Sequence, residues 1–377
     1  MQKTTESSNK KFNTIVVGAG SAGVGVSIVL KKMGVDYVIL EKDEVGSSFR
    51  KWPKESRLIS PSFTGNFFNM PDLNAISPET SPAFNLRTEH PTGLEYAHYL
   101  DVVSYHYKLK IHHDVDVLTV AKTESGFTLF TNEGNYEAKY LIWAAGEYQY
   151  PKRKSFEGSE LCKHFSDIAS FSNLEGEERI VIGGYESGFD TAINLIKAGK
   201  KATLIDSSNY LEMVSRDSSY TLSPFTRDRI DGIFDDLNYY KNTRAVSVEF
   251  DGDSYTVITS DGEVLESKHK PINCTGFDTS ISLVRELFDH NEKYPLVSEV
   301  DESTKTENLF LVGPQVKHRN ALFCFIYKYR QRFAIVAREI AKRENLSSEV
   351  LSEVVEEYRR QNFFLDDLSC CDDECIC

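Results

Sequence analysis

The fold follows from ten residues, Thr14-Ile15-Val16-Val17-Gly18-Ala19-Gly20-Ser21-Ala22-Gly23. An apolar, β-branched run stops at a glycine, and helix-forming residues continue to about Lys32, which is the strand, glycine turn and helix of a dinucleotide-binding βαβ unit. Gly18 permits the tight turn, Gly20 lets the backbone approach a pyrophosphate, and Gly23 lets helix and strand pack closely. Ser21 and Ala22 open the helix, whose unpaired N–H groups and positive dipole end face the phosphates. A second strand over 36–40 ends in Glu41, the twenty-third residue after Gly18, where a carboxylate can hydrogen-bond ribose hydroxyls.

The arrangement recurs. Arg179-Ile180-Val181-Ile182 leads into Gly183-Gly184-Tyr185-Glu186-Ser187-Gly188, a helix through Leu195 and a strand ending in Asp206, again the twenty-third residue after the first glycine. Two such units imply two dinucleotides. Tyr185 replaces the middle glycine and should crowd or reorient the second pyrophosphate. Asp206, with no arginine in Ser207-Ser208-Asn209, should favour a ribose 2'-hydroxyl over a 2'-phosphate, so NADH should compete with NADPH. Each unit also carries its own β-meander, over 115–138 and 245–266. The meanders lead to strands that end in small residues and glycine, Ala144-Ala145-Gly146 and Cys274-Thr275-Gly276. The expected architecture is α/β, with two Rossmann-like domains, the second inserted into the first. The divisions fall at 1–155, 156–272, 273–346 and a C-terminal helix with a cysteine-rich tail over 347–377.

Composition narrows the function. At 377 residues with 40% hydrophobic and 27% charged residues, the chain is too long for one core and too apolar for disorder. A net charge of -14 argues against binding nucleic acid or anionic lipid. Residues 1–11 lack a signal-peptide apolar run, and nothing approaches the ~20 apolar residues of a membrane span, so a cytoplasmic protein without membrane insertion is expected. Seven cysteines, three of them scattered (Cys162, Cys274, Cys324), do not form a disulfide framework.

These residues resemble the flavin-containing monooxygenase and thioredoxin-reductase superfamily, most closely the cation-efflux-associated CzcO-type flavin monooxygenases. The resemblance is carried by the first glycine motif, Gly46-Ser47-Ser48-Phe49-Arg50-Lys51-Trp52, Ala144-Ala145-Gly146 with Pro151, Phe156-Glu157-Gly158 ahead of His164, the second glycine motif, Cys274-Thr275-Gly276-Phe277 and Leu309-Phe310-Leu311-Val312-Gly313. It implies FAD on the first unit and NAD(P)H on the second. Flavin contacts are then expected from Gly18, Gly20, Ser21, Ala22, Gly23, Glu41, Lys42, Trp52, Val117, Ala145, Gly146, Gly313 and Gln315. Nicotinamide-nucleotide contacts are expected from Gly183, Tyr185, Glu186, Ser187, Gly188 and Asp206. The monooxygenase signature is imperfect, because Cys162 stands four residues after Gly158 and the histidine follows at His164.

The resemblance implies a monooxygenase in which NAD(P)H reduces FAD, O2 adds to the flavin and one oxygen passes to a sulfur or nitrogen nucleophile. Residues 58–85 would supply its lid, with Asn66 lining the pocket beside Phe67, Phe68 and Asn69. A dithiol or disulfide reductase is the alternative, although Gly46 to Trp52 and Gly183 to Asp190 contain no cysteine. A flavin redox sensor is a third class. The expected partners are a small molecule and O2, with a homodimer as the assembly to test. A helix over 321–344 would place Cys324 in its first turn, where the dipole depresses a thiol pKa and makes a reactive cysteine, against the alternative of a buried structural one.

The tail holds Cys370, Cys371, Cys375 and Cys377 after a helical stretch over 347–360 and the apolar Phe363-Phe364-Leu365. Four thiolates could bind Zn2+ or Cu+, although this spacing is tighter than ordinary structural zinc sites, or could relay electrons from the flavin as a dithiol.

Overall fold

The computed structural model describes residues 10–63, 71–291 and 294–371. The first sheet is built on β1 (Lys10–Val17), whose last four residues are buried. The sequence Tyr-Val-Ile-Leu of β2 (Tyr37–Leu40) is buried throughout, as expected of parallel strands covered on both faces. Between them α1 (Ser21–Lys32) is almost wholly buried, with only its terminal Lys31 and Lys32 reaching outward. The strands β3 (Ile111–His112), β4 (Val117–Thr123), β5 (Gly126–Thr131) and β6 (Gly134–Trp143) complete the order β3-β2-β1-β6-β5-β4. One edge of β6 pairs with β1 along its length; the other takes β5 antiparallel near Gly134 and a late parallel strand, Leu309–Leu311, at Leu141–Trp143.

The second domain sits between those two partners of β6. Its sheet contains β7 (Lys163–His164), β8 (Glu178–Ile182), β9 (Lys201–Asp206) and β10 (Leu237–Lys241). The meander β11 (Ala245–Phe250), β12 (Tyr255–Thr259) and β13 (Val264–Ser267) forms a separate sheet, and β14 (Ile272–Asn273) returns to the first, giving the order β10-β9-β8-β14-β7. The fold is therefore the expected one, two Rossmann-like units with the second inserted into the first. β14 runs across the boundary expected after residue 272.

Close packing explains the glycines inside the helices. A Cβ on Gly23 would stand 1.8 Å from the Gly18 carbonyl oxygen, and one on Gly25 2.0 Å from the ring of Phe333, which begins the C-terminal helix Phe333–Arg343. The final helix, Ser348–Arg360, buries Leu351, Val354, Val355 and Tyr358 at helical spacing. Beyond it Phe363 and Phe364 are buried, as docking of that segment requires.

The domains are joined by specific contacts. The Glu55 carboxylate accepts from Ser170 Oγ and the Phe171 N–H, Ser56 Oγ donates to Asp190 at 2.6 Å, and the rings of His90 and Phe225 stack 3.7 Å apart. No helix among the described residues is long and apolar enough to cross a membrane.

Candidate active site

A cavity of about 430 Å³ begins at the end of β1 and runs to the junction of the two domains. Gly18, Gly20, Ser21, Ala22, Glu41, Lys42, Trp52, Val117, Ala145 and Gly146 line its first part. Gly18 is held at φ +100°, and a Cβ there would meet the Ala144 carbonyl at 2.7 Å. At Gly20, by contrast, a Cβ would project into open space. No side chain caps the start of α1, so its first N–H groups remain available to an anion. The buried Glu41 accepts from the Ala19 N–H at 2.7 Å and the Asp43 N–H at 2.9 Å. Burial raises its carboxyl, and these two amides partly counter the shift. An open cradle over uncapped amides, with a carboxylate at the next strand end, fits the pyrophosphate and ribose of FAD.

Gly313 and Gln315 lie behind this wall: the Cβ of Ala22 sits 3.3 Å from where one on Gly313 would stand, and Gln315 Nε2 reaches the Gly146 carbonyl at 3.5 Å without lining the cavity. Leu58, Ile59, Ser60 and Asn74 line it, whereas Asn66 to Asn69 lie outside the described residues.

At the domain junction Glu186, Ser187 and Asp190, from the first turns of the helix Glu186–Lys197, line the same cavity. Gly183, at φ +111°, and Gly188 repeat the geometry of Gly18 and Gly23, with a Cβ on Gly188 falling 1.7 Å from the Gly183 oxygen. This frame fits a second dinucleotide, yet three side chains are used otherwise than expected. Tyr185 turns away from the helix terminus and donates to the carbonyls of Ser219 and Thr221 at 3.1 and 3.0 Å. Glu186 accepts from the Ser223 N–H at 2.5 Å and Thr226 Oγ1 at 2.6 Å. Asp206 is fully buried and accepts from the N–H groups of Ser208 and Tyr210 and the hydroxyl of Tyr239, so the carboxylate is committed to its own loop.

That loop, residues 207–223, bridges the two domains as a strap. Arg227 holds its inner side through the carbonyls of Leu211 and Met213 at 2.6 and 2.9 Å. Its outer side reaches the flavin-binding unit, where Ser218 Oγ and Tyr327 Oη are 2.6 Å apart and the buried Lys328 pairs with Asp217. Sequence reasoning missed this strap because nothing periodic marks it.

Cys324 lines the cavity where strap and flavin-binding unit meet. The expected helix over 321–344 starts later than anticipated, because Ala321–Leu322 pairs with Lys317–His318 as a short hairpin and helical backbone begins at Ile326. Cys324 therefore precedes the helix. Burial pushes its thiol up to about 11, the opposite of a dipole-depressed thiol, while Ser219 and Lys328 pull the other way. Cys162 and Cys274 are buried in the second domain, outside the cavity, and both are pushed up to about 12 by burial. His164, expected in the oxygenase signature, is buried and bonds to Ser166 Oγ and the Gly276 carbonyl.

In the tail, Cys371 is fully buried in the flavin-domain core and its carbonyl accepts from Asn320 N–H at 3.2 Å. Cys370 precedes it in the single turn Ser369–Cys371, and Cys375 and Cys377 lie outside the described residues. No group of three metal-ligating side chains occurs among the described residues.

The family model of the pyridine nucleotide-disulphide oxidoreductases matches residues 15–313, spanning both units and the cavity between them. The chain belongs to that family. It is a flavin-dependent oxidoreductase, and the family uses FAD and NAD(P)H. The chain is 24% identical over 344 residues to bacilliredoxin reductase Bdr of Bacillus subtilis, covering 88% of this chain and 98% of that one. Bacillithiol disulfide reductase Bdr of Staphylococcus aureus superposes with a TM-score of 0.73 at 22% identity, over 89% of this chain and 99% of that one. A flavin-containing monooxygenase from Stenotrophomonas maltophilia gives a TM-score of 0.67 at 17% identity, over 89% and 99%. The resemblance to the monooxygenase and thioredoxin-reductase superfamily thus holds.

Proposed function

We propose that this protein uses NAD(P)H to reduce a small disulfide, with Cys324 as the thiol that engages it. The observation that carries this reading is placement: among the described cysteines only Cys324 lines the cavity that the flavin cradle opens into. The near full-length likeness to a bacilliredoxin reductase supports it. It replaces the monooxygenase as the preferred reading and needs no C-x-x-C.

Bound in the cradle and at the domain junction, the cofactors would supply a pair of electrons from the nicotinamide, passed by the flavin to an acceptor in the cavity. Gly18, Gly20 and the first turn of α1 would hold the flavin pyrophosphate, Glu41 its ribose, and Gly183, Ser187 and Gly188 would frame the nicotinamide nucleotide. The chain's own contribution is the sulfur chemistry. Cys324 Sγ attacks one sulfur of the disulfide RSSR, forming a mixed disulfide, and its proton leaves with the first thiol, RSH. Two electrons and one proton then cleave the mixed disulfide, releasing the second RSH and restoring Cys324 as a thiol after solvent supplies its proton. The net reaction is RSSR + NAD(P)H + H+ → 2 RSH + NAD(P)+.

The test is anaerobic NAD(P)H oxidation by the FAD-loaded protein with low-molecular-weight disulfides, each NAD(P)H yielding two thiols. Oxygen transfer is a second reading, favoured by the likeness in fold to a flavin monooxygenase. NAD(P)H oxidation that requires O2, ignores disulfides and oxygenates an added sulfide or amine would select it instead.

A further inference from the structure

We infer that Lys328 is a positioning residue for Cys324, acting through a hydroxyl borrowed from the opposite domain, that of Ser219. The inference rests on the proposed role of Cys324.

Three residues from two domains converge here. Lys328, 3% exposed, reaches from the flavin-domain helix to Asp217, to Ser219 Oγ at 2.9 Å and to the Leu322 carbonyl at 3.5 Å. Ser219 Oγ accepts from Lys328 Nζ and from Cys324 Sγ, which lies 3.1 Å away, and spends its own proton on the Leu322 carbonyl at 3.2 Å. Asp217 forms a buried ion pair with Lys328, and its second oxygen is buried without a hydrogen-bond partner. Burial pushes the Asp217 carboxyl up, but Lys328 and the Ser219 N–H more than offset this and keep it low.

This count of donors and acceptors permits two arrangements. With Cys324 protonated, the thiol donates to Ser219. With Cys324 ionised, the Ser219 hydroxyl rotates from Leu322 to the thiolate, and Lys328, still bonded to Ser219 Oγ, moves onto the vacated Leu322 carbonyl. Apart from the second Asp217 oxygen, no donor or acceptor of the cluster is stranded in either state, which is what a thiol in so dry a place requires to ionise at all. The carboxylates facing the sulfur oppose ionisation, Glu147 from the loop after β6 and Asp217 from the strap, while the hydroxyls of Tyr185, Tyr220, Tyr294 and Tyr329, themselves pushed up by burial, face it as neutral groups. Lys328 is the one cation among them. Because Ser219 and Asp217 belong to the strap, the thiolate is stabilised only while the second domain is docked.

The experiment uses the full-length FAD-loaded protein and peptide-resolved mass spectrometry of Cys324 alkylation by iodoacetamide across a pH series. Lys328→Met and Ser219→Ala should each move the alkylation midpoint upward by about one pH unit, a roughly tenfold slower reaction at any pH below it. Lys328→Arg, which keeps a cation and its donors, should stay near wild type. The midpoint is the readout, since a shorter side chain also alters access. Wild-type midpoints in both Lys328→Met and Ser219→Ala would overturn the inference. Should Lys328→Met fail to retain flavin, Ser219→Ala alone decides. Alkylation does not depend on which substrate the protein turns over, so absence of disulfide reduction alongside a shifted midpoint would sink the proposed function and leave this inference standing.

Discussion

Cys324 of the flavin-binding unit, which lines the cavity, donates its thiol hydrogen to Ser219 of the nicotinamide-binding unit, 3.1 Å away across the domain junction. The reactive face is therefore composite. The second domain contributes a hydroxyl to the thiol as well as a platform for the nucleotide, and this explains why the strap bearing Ser219 is tied down on both sides.

Gly20 and Gly23 should respond differently to the same change. The space beside Gly20 is open, so Gly20→Val should fold with normal far-ultraviolet circular dichroism and emerge without flavin. Gly23→Val would drive a side chain into the Gly18 carbonyl and should not fold stably. Yellow Gly20→Val protein with stoichiometric FAD would contradict the assignment of the cradle.

Nucleotide preference should not depend on Asp206. Its carboxylate is committed to Ser208, Tyr210 and Tyr239, so the expected discrimination against a 2'-phosphate loses its basis. Asp206→Asn should lower thermal stability and change the NADH to NADPH ratio of kcat/KM by less than about threefold. A shift of about tenfold or more would place the carboxylate at the ribose after all.

Much of this was legible in the sequence. The β-branched run before Gly18, the glycine spacing and its echo at Gly183 reflect local constraints, and the two meanders carry their own turns. Orientation was not legible. Asp206 stands at the expected strand end, but Tyr239, on the neighbouring strand, captures it. The pairing of Lys328 with Asp217 joins residues 111 positions apart, and its strap has no periodicity to betray it. Cys324 was visible as a residue in the first turn of an expected helix over 321–344, but the short hairpin over 317–322 that delays the helix was not, and this hairpin reverses the expected effect on the thiol.

Glutamate 186 should weaken nucleotide binding. Its side chain stands at the start of the helix Glu186–Lys197, lines the cavity and is held by Ser223 and Thr226, where its charge opposes an incoming pyrophosphate. Glu186→Gln keeps an acceptor for Ser223 and removes the charge. It should lower the KM for NAD(P)H by about two- to fivefold with kcat little changed. An unchanged or higher KM would show that the pyrophosphate does not approach this terminus.

Stability should carry a pH signature from Glu302. Both of its oxygens pair with Arg343, at 2.6 and 2.8 Å, and it accepts from the Asn308 N–H. Burial pushes its carboxyl up, but Arg343 and the amide outweigh burial and lower it. A carboxyl lowered in the folded state stabilises above its unfolded value, and that stability is lost as pH falls through the folded one. Glu302→Gln should cost about 1–3 kcal/mol near neutral pH, and the gap to wild type should close in acid. Denaturant melts at both pH values check this, and a gap that widens in acid would contradict it.

The central claim is tested most directly by rapid mixing. Full-length FAD protein, reduced anaerobically with one equivalent of NAD(P)H, is mixed with excess low-molecular-weight disulfide while flavin absorbance and released thiol are followed together. The account predicts that wild type returns to oxidised flavin with two thiols per flavin, and that Cys324→Ser, although reduced by NAD(P)H at the wild-type rate, stays reduced. Equal reoxidation of Cys324→Ser and wild type by the disulfide, or reoxidation of wild type only when O2 is admitted, would contradict it.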